Sequence, residues 1–234
     1  MIMQRRWLLS LLTLILVILS GCSRASGQSS TDPVLAAYSN RPRLLGKATV
    51  VMTVTTARAG TGTVTLELEG NSAPLTAGNF LDLVQRGFYD GLTFHRVVKD
   101  PQPFVVQGGD PLGNGTGGFI DPVSLRPRQI PLEIALKQEK TPRYNTLLNV
   151  GENLSPNQLA LPHRRGALAM ARSQAPDSAS SQFYIALADL PALDGRYAVF
   201  GYVKEGMNLV DQIAIGDRIE SIKIVSGADK LVSP

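Results

Sequence analysis

A strand-like run at 48–56 opens the hydrophobic pattern, and the run that follows at 63–69 alternates. Val64, Leu66 and Leu68 face one way and Thr65, Glu67 and Glu69 the other, which is the period of a half-buried strand. Over 72–86 the period becomes helical. Ala77, Phe80, Leu81 and Val84 fall at i, i+3, i+4 and i+7, Asn71 or Ser72 can cap, Pro74 suits the first turn and Gly87 can end it. Short apolar runs at 94–98 and 104–106, bounded by Pro and Gly, read as strands, as do 166–172, 182–187 and 197–203. A second helix at 206–214 turns Met207, Val210 and Ile213 or Ala214 inward, and 218–225 closes the pattern. About eight strands and two helices predict a mainly β chain, a closed eight-stranded antiparallel barrel capped at both ends. Glu67 and Glu69 are read as a solvated strand face, not as a carboxylate pair for acid–base chemistry.

Polar residues interrupt the apolar runs at two places. Arg96 stands in the first and Gln107 directly follows the second. If side chains alternate throughout, Phe94 and Arg96 share one face, Phe104 and Val106 share one, and Val105 and Gln107 share the opposite one. A fixed cation, an amide and apolar side chains on one sheet surface suit a neutral, partly apolar ligand. The loop at 110–118 is rich in glycine but does not read as a phosphate cradle, because no helix start follows it.

Three ordered blocks then carry a resemblance. Phe94-His95-Arg96 with 104–110 (Phe-Val-Val-Gln-Gly-Gly-Asp) and 115–118 (Gly-Thr-Gly-Gly) is the first. The second runs from Arg165 to Ile185, and the third, Leu-Asp-Gly-Arg-Tyr-Ala-Val-Phe-Gly, covers 193–201. Together they resemble the cyclophilins, the peptidyl-prolyl cis-trans isomerases, in their bacterial branch, over roughly 48–226. The resemblance implies the same barrel fold, proline-containing polypeptides as partners, and no metal, nucleotide or redox cofactor. It makes Arg96 the catalytic residue, hydrogen-bonding the prolyl nitrogen as the amide twists, and Gln107 a donor or acceptor for the substrate backbone. The proline pocket maps onto Phe104, Val105, Tyr184, Leu193 and Tyr197, with Ala171, Arg172 and Gln182 along the groove. Tyr184 replaces a more usual phenylalanine, and a buried phenol needs a hydrogen-bond partner. Ala192 and Tyr197 stand where many eukaryotic members carry tryptophan and histidine, so weak cyclosporin sensitivity is expected. The 99–103 link is longer than usual and is expected to bulge. An insertion at about 137–163 reads as a loop with at most one short helical or strand element.

The amino terminus changes the picture of where such a domain would work. Two arginines, an apolar run at 7–19 and small residues after it read as an export signal, too short for a spanning helix. Leu19-Ser20-Gly21-Cys22 resembles a bacterial lipobox, which predicts a lipoprotein signal at 1–21 and lipidation of Cys22. A flexible tether at 22–46 follows, then the isomerase domain at 47–228 and a tail at 229–234. The expected location is the outer face of a plasma membrane, a periplasm, or a thylakoid membrane facing the lumen, with the chain a monomer.

At 234 residues, 44% hydrophobic and 18% charged, the chain can bury a real core. The net charge is +4, partly from Arg5 and Arg6, and the basic patches at 41–47 and 163–165 are too short for a nucleic-acid stripe and read as solvated loops. One cysteine and two histidines supply neither an internal disulfide nor a credible zinc site. The serines at 173–181 lack a nucleophile elbow and read as a solvent loop. The rival to catalysis is a tethered cyclophilin-like chaperone or binding module, to which the insertion lends some weight.

Overall fold

Residues 36–233 are described by the computed structural model, beginning with a two-residue strand, β1 (Arg43–Leu44). The patterned runs become the two longest strands, β2 (Lys47–Thr56) and β3 (Gly60–Glu69), paired antiparallel from Lys47 opposite Glu69 to Thr56 opposite Gly60. Their alternation holds: Val50, Met52, Val54, Val64, Leu66 and Leu68 are fully buried. On the other face Glu67 and Glu69 hold the Lys47 ammonium at 3.2 and 2.7 Å. Helix α1 (Pro74–Gln85) follows, then β4 (Arg96–Val98), β5 (Val105–Gly108), β6 (Glu133–Ile134), β7 (Arg143–Tyr144), β8 (Ala167–Met170) and β9 (Phe183–Ala186). The chain ends with β10 (Val199–Glu205), a one-turn helix α2 (Met207–Val210), β11 (Arg218–Ser226) and β12 (Leu231–Val232).

Eight of these strands form one antiparallel sheet in the order β11-β2-β3-β10-β8-β9-β5-β4. The sheet curls into a barrel around Phe80, Phe94, Phe183, Phe200 and the aliphatic residues of β2 and β3. Its closure is looser than expected. No ladder joins β4 to β11; instead the segment before β4 crosses the gap, where Phe94 N–H donates to Asp217 O at 2.9 Å and Ile219 N–H to Leu92 O at 2.8 Å. That bridge also corrects the expected facing. Phe94 is fully buried in the core whereas Arg96 is exposed on the outer surface, because β4 starts only at Arg96 and the alternation does not run back through the bridge.

Helix α1 is buried on nearly all sides, and Gly78 is the reason it can be. A Cβ there would collide with the Arg43 backbone at 2.5 Å, so only glycine lets β1 cross the helix so closely. β1 in turn pairs with β12, so the fold takes in residues from the segments expected as tether and tail. Neither Asn71 nor Ser72 caps the helix. The cap comes from Glu133 instead, whose buried carboxylate accepts from Leu75 N–H at 3.2 Å and Thr76 N–H at 2.8 Å. The second helix is shorter than its pattern. Past Val210 the chain tightens, with Gln212 N–H reaching back only to Leu209 O, and the Lys99 ammonium takes the carbonyls of Asp211 and Ile213, each at 2.6 Å. Among the described residues no helix is long and apolar enough to cross a membrane.

The insertion carries more structure than a loop. β7 pairs back onto β6, and a 3-10 turn spans Pro156–Gln158. Leu148 and Leu159 join Leu132, Ile134, Leu136 and Ala198 in a small apolar cluster of their own.

Burial raises the Glu133 carboxyl above its usual range of about 4.5, against the pull of the Thr76 and Leu75 N–H groups. A carboxyl raised by folding stabilises fully below its unfolded pKa, and that contribution is lost as pH climbs through the folded value. Urea unfolding between about pH 4 and 8 should therefore show the parent losing stability relative to Glu133→Gln as pH rises. A constant difference across that range would refute the assignment. Glu133→Ala should cost about 1–3 kcal/mol, because two buried N–H groups lose their acceptor.

Candidate active site

Register places the polar residues of the apolar runs in one row. Arg96 lies opposite Gln107 across β4 and β5, Gln107 opposite Tyr184 across β5 and β9, and Tyr184 opposite Ala169 across β9 and β8. Directly paired residues project to the same side of a sheet, here the outer side of the barrel. Beneath the row lies a second apolar cluster that includes Val105, Ala167, Ala169, Ala186 and Val199. The outer face is thus half core and half site.

A cavity of about 380 Å3 opens on this face. Arg96 and Gln107 form its polar edge, Phe104, Val105 and Tyr184 line its depth, and Ala171, Arg172, Leu193 and Tyr197 make the far wall. Gln182 lines an adjoining cavity of about 230 Å3, which shares Gln107, Ala171 and Arg172 with the first. All the residues expected at the site therefore meet on one surface. Phe104 had been expected on the face of Val106; it joins Val105 at the cavity instead, since β5 begins one residue after it. The insertion contributes no residue to either cavity.

A chain of amides sets the polar edge. Arg96 Nη1 donates to Gln107 Oε1 at 3.2 Å, Gln107 Nε2 to Gln182 Oε1 at 3.0 Å, and Gln182 Nε2 to Gly117 O at 2.8 Å. The arginine head also rides over the Phe104 ring, with Cζ 5.7 Å from its centroid, which keeps the charge beside the apolar depth. The longer 99–103 link does not separate Arg96 from Phe104; its lysine is pinned to the end of α2. Arg172 plays a different part from Arg96. Its guanidinium is spent on the carbonyls of Arg196, Ser173 and Gln174 and stacks 4.8 Å from the Tyr197 ring, so it is a wall and not a free donor.

The glycine-rich loop folds around Asp110, whose carboxylate accepts from the N–H groups of Leu112, Asn114 and Gly115 at 2.9, 3.0 and 2.5 Å. Burial pushes this carboxyl up, and the three donors more than offset it, holding it below the usual carboxylate range. Neither Asp110 nor Glu133 pairs with Arg96. Both are occupied by backbone N–H groups, which leaves the guanidinium at the cavity.

The family model described as cyclophilin type peptidyl-prolyl cis-trans isomerase matches residues 51–229. The chain belongs to this family. Among its relatives, a candidate thylakoid lumen peptidyl-prolyl cis-trans isomerase of Synechocystis is 44% identical over 84% of the chain and 52% of its own length. The chloroplastic isomerase CYP38 of Arabidopsis thaliana is 43% identical over 84% of the chain and 46% of its own length. The chain thus spans about half the length of these two relatives. A cyclophilin type isomerase of Cryptosporidium parvum, crystallised in the presence of the dipeptide Ala-Pro, is 28% identical with a TM-score of 0.54 over 76% of this chain and 99% of its own.

One residue of this cyclophilin's site escaped the sequence reading. His163, expected in a solvated basic patch, is buried, and its Nε2 lies 3.0 Å from the Tyr184 hydroxyl. Its neighbours are also anchored: Arg164 stacks on Tyr202 at 4.1 Å, and Arg165 donates to Leu187 O and Asp211 Oδ2, each at 2.6 Å. Tyr184's need of a partner was the only signal, and it named no candidate.

A Cβ on Gly117 would sit on the Asp110 carboxylate and 3.0 Å from Leu112 Cγ. Gly117→Ala should displace the carbonyl that holds Gln182 and weaken binding of a prolyl peptide several-fold, read by NMR titration. Unchanged affinity would mean that the loop plays no part in setting the amide chain.

Proposed function

We propose that the chain catalyses cis–trans isomerisation of Xaa-Pro bonds in polypeptides. The observation that carries this reading is the Arg96 guanidinium, tied by one N–H to Gln107 and held over Phe104 at the edge of a cavity that Phe104, Val105, Tyr184, Leu193 and Tyr197 also line. A prolyl amide resists rotation by about 18–20 kcal/mol because its nitrogen lone pair is delocalised into the carbonyl. Twisting the bond localises that lone pair and makes it basic. A fixed N–H donor beside the prolyl nitrogen stabilises the twisted state and gains little in the planar one. No bond breaks and no proton need be transferred, which fits a rim with one cation and two amides.

Gln107 steers Arg96 and remains close enough to the rim to hold the substrate backbone. Phe104, Val105, Tyr184, Leu193 and Tyr197 receive the prolyl ring, and the flanking peptide runs past Ala171, Arg172 and Gln182. Because Arg172 is saturated by carbonyls, its part is to shape the groove. The Ala-Pro dipeptide named with the Cryptosporidium relative is of the substrate class this reading needs. Ala192 and Tyr197 support weak binding of cyclosporin.

Export is part of the same proposal. The lipobox-like Leu19-Ser20-Gly21-Cys22 lies outside the described residues; it supports a mature chain starting at a lipidated Cys22 and facing a periplasm, an outer surface or a thylakoid lumen. The lumenal and chloroplast names of the Synechocystis and Arabidopsis relatives are in keeping with that. Cys22→Ser should move the chain from the membrane fraction to the soluble one on fractionation of expressing cells. Retention in the membrane would refute a lipid anchor.

NMR exchange on a proline tetrapeptide tests the activity without a coupled protease. Losing one preorganised donor costs about 2.7–4 kcal/mol, so Arg96→Ala should lower kcat/KM by roughly two to three decades at about 1.36 kcal/mol per decade. Arg96→Lys should recover little of it, since a point charge does not reproduce the planar fork. A parent that binds the peptide without speeding exchange would favour the chaperone or binding-module reading instead.

A further inference from the structure

Under the cavity runs a chain of three buried side chains, from the pocket residue Tyr184 to His163 and Asp194, two residues that no step of the isomerisation uses. Tyr184, from β9, puts its ring into the cavity floor and its hydroxyl 3.0 Å from His163 Nε2. The two rings lie nearly parallel, 17° apart with centroids at 6.1 Å. On the far side His163 Nδ1 lies 2.8 Å from Asp194 Oδ1, and the same oxygen accepts His163 N–H at 2.7 Å. An ionised carboxylate only accepts, so Nδ1 carries the ring proton and Nε2 is left to accept from the phenol. Burial raises the Tyr184 phenol well above its usual range, which keeps it a donor.

His163 also grips the turn that bears the cavity's far wall. Its carbonyl accepts from Leu190 N–H at 2.7 Å, and Asp194 directly follows Leu193. One residue therefore clasps the 190–194 turn at both ends and the floor tyrosine in the middle. Tyr197, three residues on, meets Tyr184 edge-on at 6.0 Å. Behind this clasp stands the insertion, of which His163 is the last residue. Leu148 N–H donates to Gly195 O at 3.0 Å, Tyr202 hydroxyl donates to Pro162 O at 2.9 Å, and the Leu148–Leu159 cluster packs on Ala198.

We propose that His163, oriented by Asp194, is a positioning residue for the prolyl pocket, and that the insertion exists to deliver and brace it. The proposal rests on the reading of this cavity as the prolyl site. A phenol at the bottom of an apolar pocket either finds a protein acceptor or draws water in after it. By taking the hydroxyl from below, His163 turns the apolar ring toward the ligand and keeps the floor dry. By holding Asp194 and the Tyr184 hydroxyl together it ties the wall to the floor. Arg96 lies on the other rim, so the clasp acts on binding far more than on the chemical step.

The test is a double-mutant cycle on His163→Ala and Tyr184→Phe in the full chain. It is read as peptide Kd by NMR titration, exchange rate at saturation, and melting temperature. His163→Ala should weaken binding about five- to tenfold, as expected for an orphaned buried hydroxyl, while the saturated exchange rate changes less than twofold. Adding Tyr184→Phe should restore much of that affinity, because no hydroxyl is left to satisfy. A purely structural His163 would lower the melting temperature and leave Kd unchanged, or the second substitution would add to the loss; either result overturns the proposal. A second measurement needs no variant to fold: 15N-histidine spectra of the parent should show His163 protonated at Nδ1 and shifting as prolyl peptide is added. Protonation at Nε2 alone, or no response to bound peptide, would also overturn it. If the parent neither binds nor isomerises prolyl peptide, the prolyl-site reading fails first and this inference with it. Normal parent activity with an unaltered His163→Ala affinity would remove only the clasp.

Discussion

Pairing of β4 with β5 and of β5 with β9 sets the row Arg96, Gln107, Tyr184, and everything the outer face does depends on that register. The side-chain period of a strand is two, so a slip of one residue in β5 would bury Gln107 and turn Val106 outward. The interior prevents the slip. Val106 and Ile185 are directly paired and fully buried in the same core as Phe94 and Phe183, so the cavity-bearing face is held in place by apolar contacts on its reverse. β5 and β9 can be short because both their faces are packed, one by the barrel core and one by the cluster under the cavity.

Buried polar groups do the rest of the positioning, Asp110 through its own loop and Glu133 and Asp194 through partners distant in sequence. Asp110 gathers three N–H groups of the glycine-rich loop, Glu133 caps α1, and Asp194 orients His163. An unpaired buried acceptor or donor costs about 1–3 kcal/mol, so each pairing stabilises one arrangement against its alternatives. These residues do not touch the cavity, yet they decide where its walls stand. Gly117 shows how little room is left, since its own hydrogen in place of a methyl is what lets Asp110 close the loop.

Polar residues divide accordingly into those the ligand would meet and those it would not. Arg96 and Gln107 are at the rim and were conspicuous in the sequence, because a cation and an amide interrupted apolar runs. Arg172 was named only through the resemblance, and its donors are turned to carbonyls. His163 was inconspicuous, the first of three basic residues after a proline, and it is the one that reaches beneath the pocket.

By itself the sequence determined the family, the barrel, the two longest strands, the stripe of α1 and the set of residues that meet at the two cavities. Those depend on local period and on motifs whose spacing is carried along the chain. Only the tertiary structure decided that Phe94 and Arg96 part company, that Glu133 caps a helix some 57 residues away, that β1 and β12 clasp α1, and that the insertion braces the pocket through His163. The physical reason is common to all four. A strand's alternation is legible only within the ladder that imposes it, and a polar side chain does not reveal its partner until folding has closed the long loops between them.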